Sequence, residues 1–308
     1  MIVISHFYNE EFFLPYWLEH HKKIFDHGIL IDSGSTDNSI EIIKKITPSW
    51  EVVKSPMEKF DSVKMDQLIM KIERKNKDKT KIVLNTTEFL IINDFDTFKN
   101  LTSKSNSIYL IPTALMVDKF PYENSVKIVN LLEEKSFGIW HDALNVFYLN
   151  RKFKFTKEQR GRFVHRCEDG QYLPGRHSTF LKPKRLSRKI AYIRWYYYSP
   201  WNDLTISRKI NIRNTLSNND KKNNLSVMHF LEENLYHKTF TYLQEKAYKI
   251  PSYNVKIHSK IFLMLKVRII TKLIFKIKYS KLFRKFLHII FPTKKLRGKI
   301  SKIIFNNF

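Results

Sequence analysis

The chain has 308 residues, and its 55 Lys and Arg residues against 29 Asp and Glu residues give a formal net charge of +26. Hydrophobic residues make up 43% of the chain and aromatic residues 14%, which excludes an intrinsically disordered protein. The single cysteine, Cys167, excludes an internal disulfide and a cysteine-rich zinc site. The use of a single cysteine fits a reducing compartment, so we expect a cytoplasmic protein. The sequence opens on an apolar run with no basic stretch before it, and we expect no secretory signal.

The first 110 residues alternate short apolar runs with amphipathic segments. The apolar runs predict strands at residues 2–4, 29–31, 52–53 and 81–84. The amphipathic segments predict helices over residues 12–25, 39–46 and 65–74. This alternation is typical of a parallel sheet and predicts an α/β fold. Ligands of open parallel sheets bind at the carboxyl ends of the strands, where the polar clusters of this chain fall.

Three motifs in this region carry a family resemblance. They read Tyr8-Asn9-Glu10-Glu11, Tyr16-Trp17-Leu18-Glu19-His20-His21 and Asp32-Ser33-Gly34-Ser35-Thr36-Asp37-Asn38-Ser39. Together they resemble the amino-terminal half of family 2 type glycosyltransferases of the GT-A fold, and more narrowly a bacterial surface-polysaccharide subgroup. Any one motif would be weak, because Asn and Asp are common turn formers after strands. Three motifs in this order and at this spacing are specific.

The resemblance implies a GT-A (Rossmann-like) mixed sheet flanked by helices. In that family the ends of the first two strands hold the base and ribose of a nucleotide sugar, so Asn9, Glu10 and Asp32 are the predicted donor ligands. Carboxylates suit ribose hydroxyls and a base N–H because they accept charge-assisted hydrogen bonds. Asp37 is expected to hold its turn or cap the following helix, which Asn38 could also cap. The aromatic and histidine residues of the second motif are expected to pack within their helix.

The segment after the fourth predicted strand departs from the family pattern. Members of the family carry Asp-x-Asp-Glu-Phe-Leu there, whose acidic residues bind a divalent cation, Mn or Mg, that bridges the donor phosphates. This chain reads Asn85-Thr86-Thr87-Glu88-Phe89-Leu90. Hard cations prefer carboxylate ligands, and both usual carboxylates are replaced by neutral oxygen groups. Three explanations stay open: Glu88 is the ligand of a weak metal site, basic side chains replace the metal, or catalysis is lost. We favour the first, with Asn85 and Thr87 beside the donor.

Beyond residue 110 the resemblance rests on shorter segments. Arg162-Phe163-Val164-His165 and Gly170-Gln171-Tyr172-Leu173-Pro174-Gly175-Arg176-His177 look like acceptor-side segments of the subgroup, and Ser207-Arg208-Lys209 fits the helical stretch that closes the donor site. The resemblance implies that Arg162 and Arg176 neutralise the leaving diphosphate, for which a planar two-pronged donor is well shaped. A histidine here can ligate a metal or contact a phosphate oxygen, and His177 is preferred to His229.

An inverting transferase needs a carboxylate that takes the proton from the acceptor hydroxyl as it attacks the anomeric carbon. Glu168-Asp169 is the nearest match to the acidic pair of the family, and Asp142 in Trp140-His141-Asp142 is the rival. The candidates for the base are Asp169, Asp142 and Glu168, in that order.

The carboxyl end of the chain differs in composition from the rest. Residues 246–308 contain 17 Lys or Arg residues and no Asp or Glu. Basic and aliphatic residues both recur there every four positions, which predicts basic amphipathic helices. We expect this tail to lie on the anionic inner face of the cell membrane, and packing on the globular domain is the alternative. Basic residues interrupt every long apolar run, so no spanning helix is predicted.

The predicted organisation is a GT-A domain over residues 1–245, with a nucleotide-sugar-binding half at 1–110 and an acceptor half at 111–245, followed by the tail at 246–308. The predicted function is an inverting glycosyltransferase that moves a sugar from a nucleotide donor, in the first place a UDP-sugar, to a lipopolysaccharide, capsule or related lipid-linked glycan. A catalytically inactive GT-A scaffold or glycan-binding partner is the alternative. The charge alone would suit nucleic acid, but no zinc finger, RNA-binding strand motif or dimerising zipper is present, and we expect no nucleic-acid partner.

Overall fold

The computed structural model describes residues 1–120, 128–141, 161–223, 225 and 233–251. The chain divides into two units, Met1–Ser252 and Tyr253–Phe308. The second unit, and with it the predicted amphipathic helices, lies outside the described residues. Within the described ranges, none of the helices combines the length and the apolar character needed to cross a membrane.

Strands and helices alternate regularly through the first half of the first unit. In chain order the elements are β1 Ile2–Phe7, α1 Leu14–His21, β2 His27–Asp32, α2 Ser39–Ile46, β3 Glu51–Lys54, α3 Ser62–Lys75, β4 Lys81–Val83, β5 Glu88–Ile92, α4 Phe95–Thr102, β6 Ile108–Val117, α5 Leu131–Glu134, β7 Phe137–Trp140, β8 Gly161–His165, β9 Lys184–Arg185, β10 Ala191–Tyr198, α6 Asp203–Thr215, α7 Asn218–Lys222, α8 Glu233–Lys246 and β11 Tyr248–Lys249.

The sheet is mixed, with a parallel part at one side. Strands β4, β1, β2 and β3 lie side by side in that order and run parallel. Strand β8 joins β4 to β6 by antiparallel pairing on both of its edges, and β7 and β11 extend the sheet beyond β6. Strand β10 pairs parallel with β6 and antiparallel with β5. The predicted mixed α/β sheet with flanking helices is confirmed.

Strands β1 and β2 are buried on both faces because helices cover both faces. Ile4 of β1 and Ile31 of β2 point to one side, where they meet Met65 and Ile69 of α3 in the main core cluster. The intervening residues of β1 and β2, such as Val3, are equally buried on the opposite face. The predicted strands and helices of this half therefore all exist, with ends that differ by a few residues.

Local chemistry explains where the helix ends differ from the predictions. Helix α3 begins at Ser62, earlier than predicted, because the Asp61 side chain caps it by accepting the Lys64 N–H at 3.0 Å. Helix α2 covers the predicted residues, and Asp37 accepts the Ser39 N–H at 3.0 Å. At the other end of the unit, β11 pairs with β7 and Ile250 is buried, so the folded unit continues past the predicted boundary at residue 245.

Three side chains of α1 hydrogen-bond to one edge of β5. Trp17 Nε1 donates to the Glu88 carbonyl at 2.9 Å, and His20 Nε2 lies 2.7 Å from the Leu90 carbonyl oxygen. The Leu90 N–H in turn donates to His21 Nε2 at 3.1 Å. Strand β10 pairs with the other edge of β5. The side chains of α1 therefore supply the hydrogen bonds that a neighbouring strand would otherwise make to this edge. The Tyr-Trp-Leu-Glu-His-His motif thus fixes the strand that follows residues 85–87.

This arrangement makes the stability of the fold sensitive to acid. Burial lowers the pKa of His20, and burial with the neighbouring His20 lowers the pKa of His21 well below its ordinary value. The unfolded chain therefore binds more protons than the folded chain once the pH falls below about 6.5. The stability of the fold is highest above that pH, and it decreases as the pH falls toward the pKa values of the two histidines in the folded chain. Each histidine contributes up to about 1.4 kcal/mol per pH unit to this loss.

We expect His21→Gln, whose amide oxygen can still accept the Leu90 N–H, to reduce this pH dependence. The free energy of unfolding of the wild type should fall more steeply from pH 6.5 to 5.5 than that of the variant, because the variant has one fewer buried neutral imidazole. Urea unfolding at pH 7.5, 6.5 and 5.5 measures both slopes. Equal slopes would show that His21 is not held neutral in the folded chain.

Candidate active site

A cavity of about 910 Å³ opens at the carboxyl ends of β1, β2, β3 and β4. The turns after these strands form one wall, which includes His6, Phe7, Tyr8, Glu10, Ser33, Gly34, Lys54, Asn85, Thr86 and Thr87. Strand β10 and helix α6 form the opposite wall, which includes Trp195, Tyr196, Tyr197, Thr205, Arg208 and Lys209. Position and size are those of a small-molecule site in an open parallel sheet.

Two of the predicted donor ligands shape the turns beside the cavity. Asn9 adopts a φ of 49°, and its Oδ1 accepts the Thr36 N–H at 2.8 Å, which joins the turn after β1 to the turn after β2. Asp32, at the end of β2, accepts the Ser35 N–H at 2.9 Å through Oδ1. Residues adjacent to each of them line the cavity, whereas Asn9 and Asp32 themselves are not among the lining residues.

The third predicted donor ligand, Glu10, lines the cavity and is ion-paired with Arg208 of α6. Arg208 Nε lies 2.9 Å from one carboxylate oxygen of Glu10, and Nη2 donates to the other. At the carboxyl end of α6, the Phe60 N–H donates to the Thr215 carbonyl at 2.9 Å. The middle and the carboxyl end of α6 are thereby tied to the segments after β1 and β3, and the helix forms one wall of the cavity.

The predicted metal ligand, Glu88, forms a buried ion pair with Arg162. Arg162 Nε lies 3.0 and 2.8 Å from the two carboxylate oxygens, and the side chains are 3% and 4% exposed. Glu88 also accepts the Asn85 N–H at 2.8 Å, and Arg162 Nη1 donates to the carbonyls of Gly175 at 2.9 Å and Arg176 at 3.3 Å. Neither Glu88 nor Arg162 is among the residues that line the cavity.

Arg176, the second arginine predicted to bind the diphosphate, is paired with Asp66 of α3. Its Nη2 also donates to Asn85 Oδ1 at 3.4 Å. Asp66 further accepts the Gly175 N–H at 2.9 Å, so α3 holds this loop through both backbone and side chain. The next residue, His177, which is predicted to ligate the metal or contact a phosphate oxygen, is among the residues that line the cavity.

His6 is a cavity residue that the sequence analysis did not identify. Its ring stacks on Phe60 with the centroids 5.3 Å apart, and its Nδ1 lies 3.5 Å from Arg176 Nη2. Burial, followed by the positive charges of Arg176 and Arg162, lowers the pKa of His6 well below its ordinary value. At neutral pH the cavity therefore contains a neutral imidazole at this position. Its place at the end of β1 was the signal that could have found it.

The oxygen groups at the predicted metal position do not fit a divalent cation. The Asn85 side-chain oxygen accepts from Arg176, and both oxygens of Glu88 face the Arg162 guanidinium. A hard cation would have to displace the Arg162 guanidinium to reach Glu88, and Asn85 and the two threonines offer only neutral oxygens. Over the described ranges, no three His, Cys, Asp or Glu side chains converge in a way that could hold a metal ion.

The predicted bases are spread over different parts of the chain. Asp169 accepts from Arg74 Nε at 2.7 Å and from the Gln171 N–H at 3.0 Å, and it is not among the cavity residues. Glu168 is exposed and also lies outside the lining. Asp142 and the alternative histidine, His229, lie outside the described residues. The identity of the base stays a prediction.

The comparisons with known proteins give similar folds at low identity. No protein-family model and no curated protein matches the sequence. The solved structures similar to it include residues 1–349 of S. aureus TarS, at 13% identity and a TM-score of 0.38, covering 78% of this chain and 68% of that one. A structure of the same TarS fragment in complex with UDP-GlcNAc gives the same identity and TM-score, covering 78% of this chain and 70% of that one.

Two further matches cover smaller shares. In another structure of S. aureus TarS the match is at 15% identity and a TM-score of 0.32, and it covers 41% of this chain and only 23% of that one. Core-mannan synthase A from Aspergillus fumigatus, in its Mn/GDP form, matches at 14% identity and a TM-score of 0.25, covering 38% of this chain and 43% of that one.

The ion pair of Glu88 and Arg162 leads to a stability test of these two residues. Arg162→Met should lower the free energy of unfolding by about 3–5 kcal/mol, because it leaves a buried carboxylate without its partner. The double variant Glu88→Gln with Arg162→Met should recover much of that loss. Urea unfolding measures both. An Arg162→Met protein of wild-type stability that has lost nucleotide binding would instead place this guanidinium at the ligand.

Proposed function

We propose that this chain is a glycosyltransferase that binds a nucleotide sugar in the cavity at the ends of β1 to β4. The observation that supports this most is the convergence of the three polar segments after β1, β2 and β4 at one cavity of about 910 Å³. The base and ribose would lie against the turns after β1 and β2, and the diphosphate toward α6 and His177. A UDP-sugar is the donor that we propose to test first.

The wall opposite the strand ends suits a sugar acceptor. Trp195 and Tyr197 of β10 line the cavity there, and aromatic rings with an apolar face and a polar edge pack against sugar rings while hydrogen-bonding their hydroxyls. In an inverting transfer the acceptor hydroxyl attacks the anomeric carbon, a carboxylate takes its proton, and the nucleoside diphosphate leaves. The candidates for this base stay Asp169, Asp142 and Glu168, and Asp169 accepts from Arg74 Nε at 2.7 Å in the structure.

A second hypothesis, an inactive GT-A domain that acts as a scaffold or glycan-binding partner, is favoured by the neutral residues Asn85-Thr86-Thr87. Incubation of the protein with UDP-sugars separates the two hypotheses, since an active enzyme releases UDP by transfer or by slow hydrolysis. Release of UDP that depends on the protein concentration supports the enzyme.

We also propose that the tail of residues 246–308 attaches the protein to the cytoplasmic face of the membrane. The support is its composition: it carries 17 basic and no acidic residues together with aliphatic residues at helical spacing. A lipid-linked glycan acceptor would then be presented to the cavity from the same surface.

The donor site is tested by calorimetry of the full chain with UDP, GDP and CDP. Asp32→Ala should weaken binding of the preferred nucleotide by about tenfold to a hundredfold, since a charge-assisted hydrogen bond contributes about 1.5–3 kcal/mol. The matched control is Asp37→Ala, which removes a neighbouring turn carboxylate whose two oxygens accept the Ser39 and Glu11 N–H groups. Unchanged affinity in Asp32→Ala would place the nucleotide elsewhere.

Membrane attachment is tested by sedimentation with anionic vesicles. Binding should weaken with salt, because surface charge is screened over about 10 Å at 0.1 M, and a salt-resistant part should remain. Serine substitutions in the tail should remove that part; the positions are Ile261, Leu265, Leu273, Phe283 and Phe286. The control carries Phe95→Ser and Phe180→Ser, at side chains that are 50% and 74% exposed in the globular unit. Absence of vesicle binding by the wild type at low salt contradicts the proposal.

A further inference from the structure

We infer that the guanidinium of Arg162 takes the place of a divalent cation at the end of β4, so that the chain binds its nucleotide without a metal ion. The inference rests on the proposed function, because the nucleotide is the one proposed to bind at this end of the sheet. Arg162 is thereby a positioning residue: it holds two segments of the cavity wall and does not itself contact the nucleotide.

The guanidinium of Arg162 contacts a set of oxygens that would suit a hard cation. Its Nε lies 3.0 and 2.8 Å from the two carboxylate oxygens of Glu88. Its Nη1 donates to the carbonyl oxygens of Gly175 at 2.9 Å and Arg176 at 3.3 Å. Carboxylate and backbone carbonyl oxygens are the ligands that hard divalent cations take in proteins. An organic cation therefore already lies among these oxygens.

The other oxygens at the end of β4 also have donors. The Asn85 carbonyl accepts the Glu88 N–H at 2.9 Å, and the Asn85 side-chain oxygen accepts from Arg176 Nη2 at 3.4 Å. The Thr87 carbonyl accepts the Tyr196 N–H at 2.8 Å. What remains for a metal ion are the hydroxyls of the two threonines, which are neutral and are poor ligands for a hard cation without a carboxylate beside them.

Burial prevents a metal ion from displacing the guanidinium. The side chains of Arg162 and Glu88 are 3% and 4% exposed. A guanidinium keeps its proton at every pH that a folded protein tolerates, and moving it away would leave a buried carboxylate without its partner. A metal ion that entered with Arg162 in place would put two cations beside one carboxylate, where the low dielectric strengthens their repulsion. The ion pair therefore excludes the metal.

Arg162 also connects two segments of the cavity wall. Through Glu88, which accepts the Asn85 N–H at 2.8 Å, it fixes the turn after β4. Through the Gly175 carbonyl it fixes the loop that carries His177. Asn85 and His177 line the cavity, whereas Arg162 and Glu88 lie behind the lining. Groups that are held in place before the ligand arrives need no reorganisation on binding, so the nucleotide site is ordered without a metal ion.

The first test is calorimetry of the full chain with UDP, in EDTA and in Mn²⁺. The two affinities should agree within about threefold, because no metal ion takes part in binding. Binding of UDP that requires Mn²⁺ would overturn this inference and leave the proposed function in place.

The second test asks whether removal of the guanidinium creates a metal site. Arg162→Met frees both oxygens of Glu88 beside Asn85 and Thr87, so millimolar Mn²⁺ should raise its melting temperature by a few degrees, since an ion that binds only the folded chain stabilises it. The matched control is the double variant Glu88→Gln with Arg162→Met, which lacks the carboxylate and should not respond to Mn²⁺. The wild type should not respond either.

A second variant covers the loss of stability expected of Arg162→Met. Arg162→Gln removes the charge but keeps a donor for the Glu88 carboxylate, and it should respond to Mn²⁺ in the same way. If Arg162 only supported the fold, Mn²⁺ would stabilise neither variant, and that result would overturn the inference. An equal response of the wild type and the two single variants would also overturn it, because the ion would then bind away from Glu88.

Failure of the proposed function gives a different result. If UDP, GDP and CDP all fail to bind the wild type in either buffer, the proposed function is wrong and the nucleotide part of this inference is wrong with it. The response of Arg162→Met and Arg162→Gln to Mn²⁺ would then decide alone whether the guanidinium stands in the place of a metal ion.

Discussion

The buried ion pair between Glu88 and Arg162 joins the parts of the molecule that surround the cavity. Glu88 begins β5, Arg162 lies on β8, and the same guanidinium reaches the carbonyls of Gly175 and Arg176. Two charges that are almost completely removed from water stabilise the fold only as a pair with further hydrogen bonds, and the carbonyls and the Asn85 N–H supply these. Any chemistry at the end of β4 must therefore work with Glu88 already occupied.

Helix α3 repeats this construction with two further carboxylates, two turns apart on one face. Asp66 holds the loop at Gly175 and Arg176, and Glu73 accepts from the Tyr172 hydroxyl at 2.8 Å and the Gly170 N–H at 2.8 Å. Burial, together with the negative charge of Glu73, raises the pKa of Tyr172 well above its ordinary value, so the phenol remains a donor to this carboxylate. The loop that carries His177 is thus held by the carboxylates of α3 and by the guanidinium of Arg162.

The parts of this molecule that could be predicted from sequence are those set by local pattern. Apolar runs and helical spacing gave the strands and helices of the first half, and the polar residues after β1, β2 and β4 gave the position of the cavity. The role of Glu88 could not be read in this way, because its partner lies 74 residues further along the chain. Trp195 and Tyr197 were missed for a similar reason, since only the pairing of β10 with β5 and β6 brings them to the site.

The distribution of charge connects these observations. The two arginines that resemblance assigns to the diphosphate are each balanced by a carboxylate, Arg162 by Glu88 and Arg176 by Asp66. These ion pairs occupy the carboxylate that is predicted to bind the metal and the two guanidinium groups that are predicted to bind the diphosphate. Helix α6, which contributes Arg208 and Lys209 to the cavity wall, is tied to the segments after β1 and β3 through Arg208 and Thr215. Because the sheet fixes those segments, the same packing that stabilises the fold also sets the position of α6 across the cavity from the strand ends.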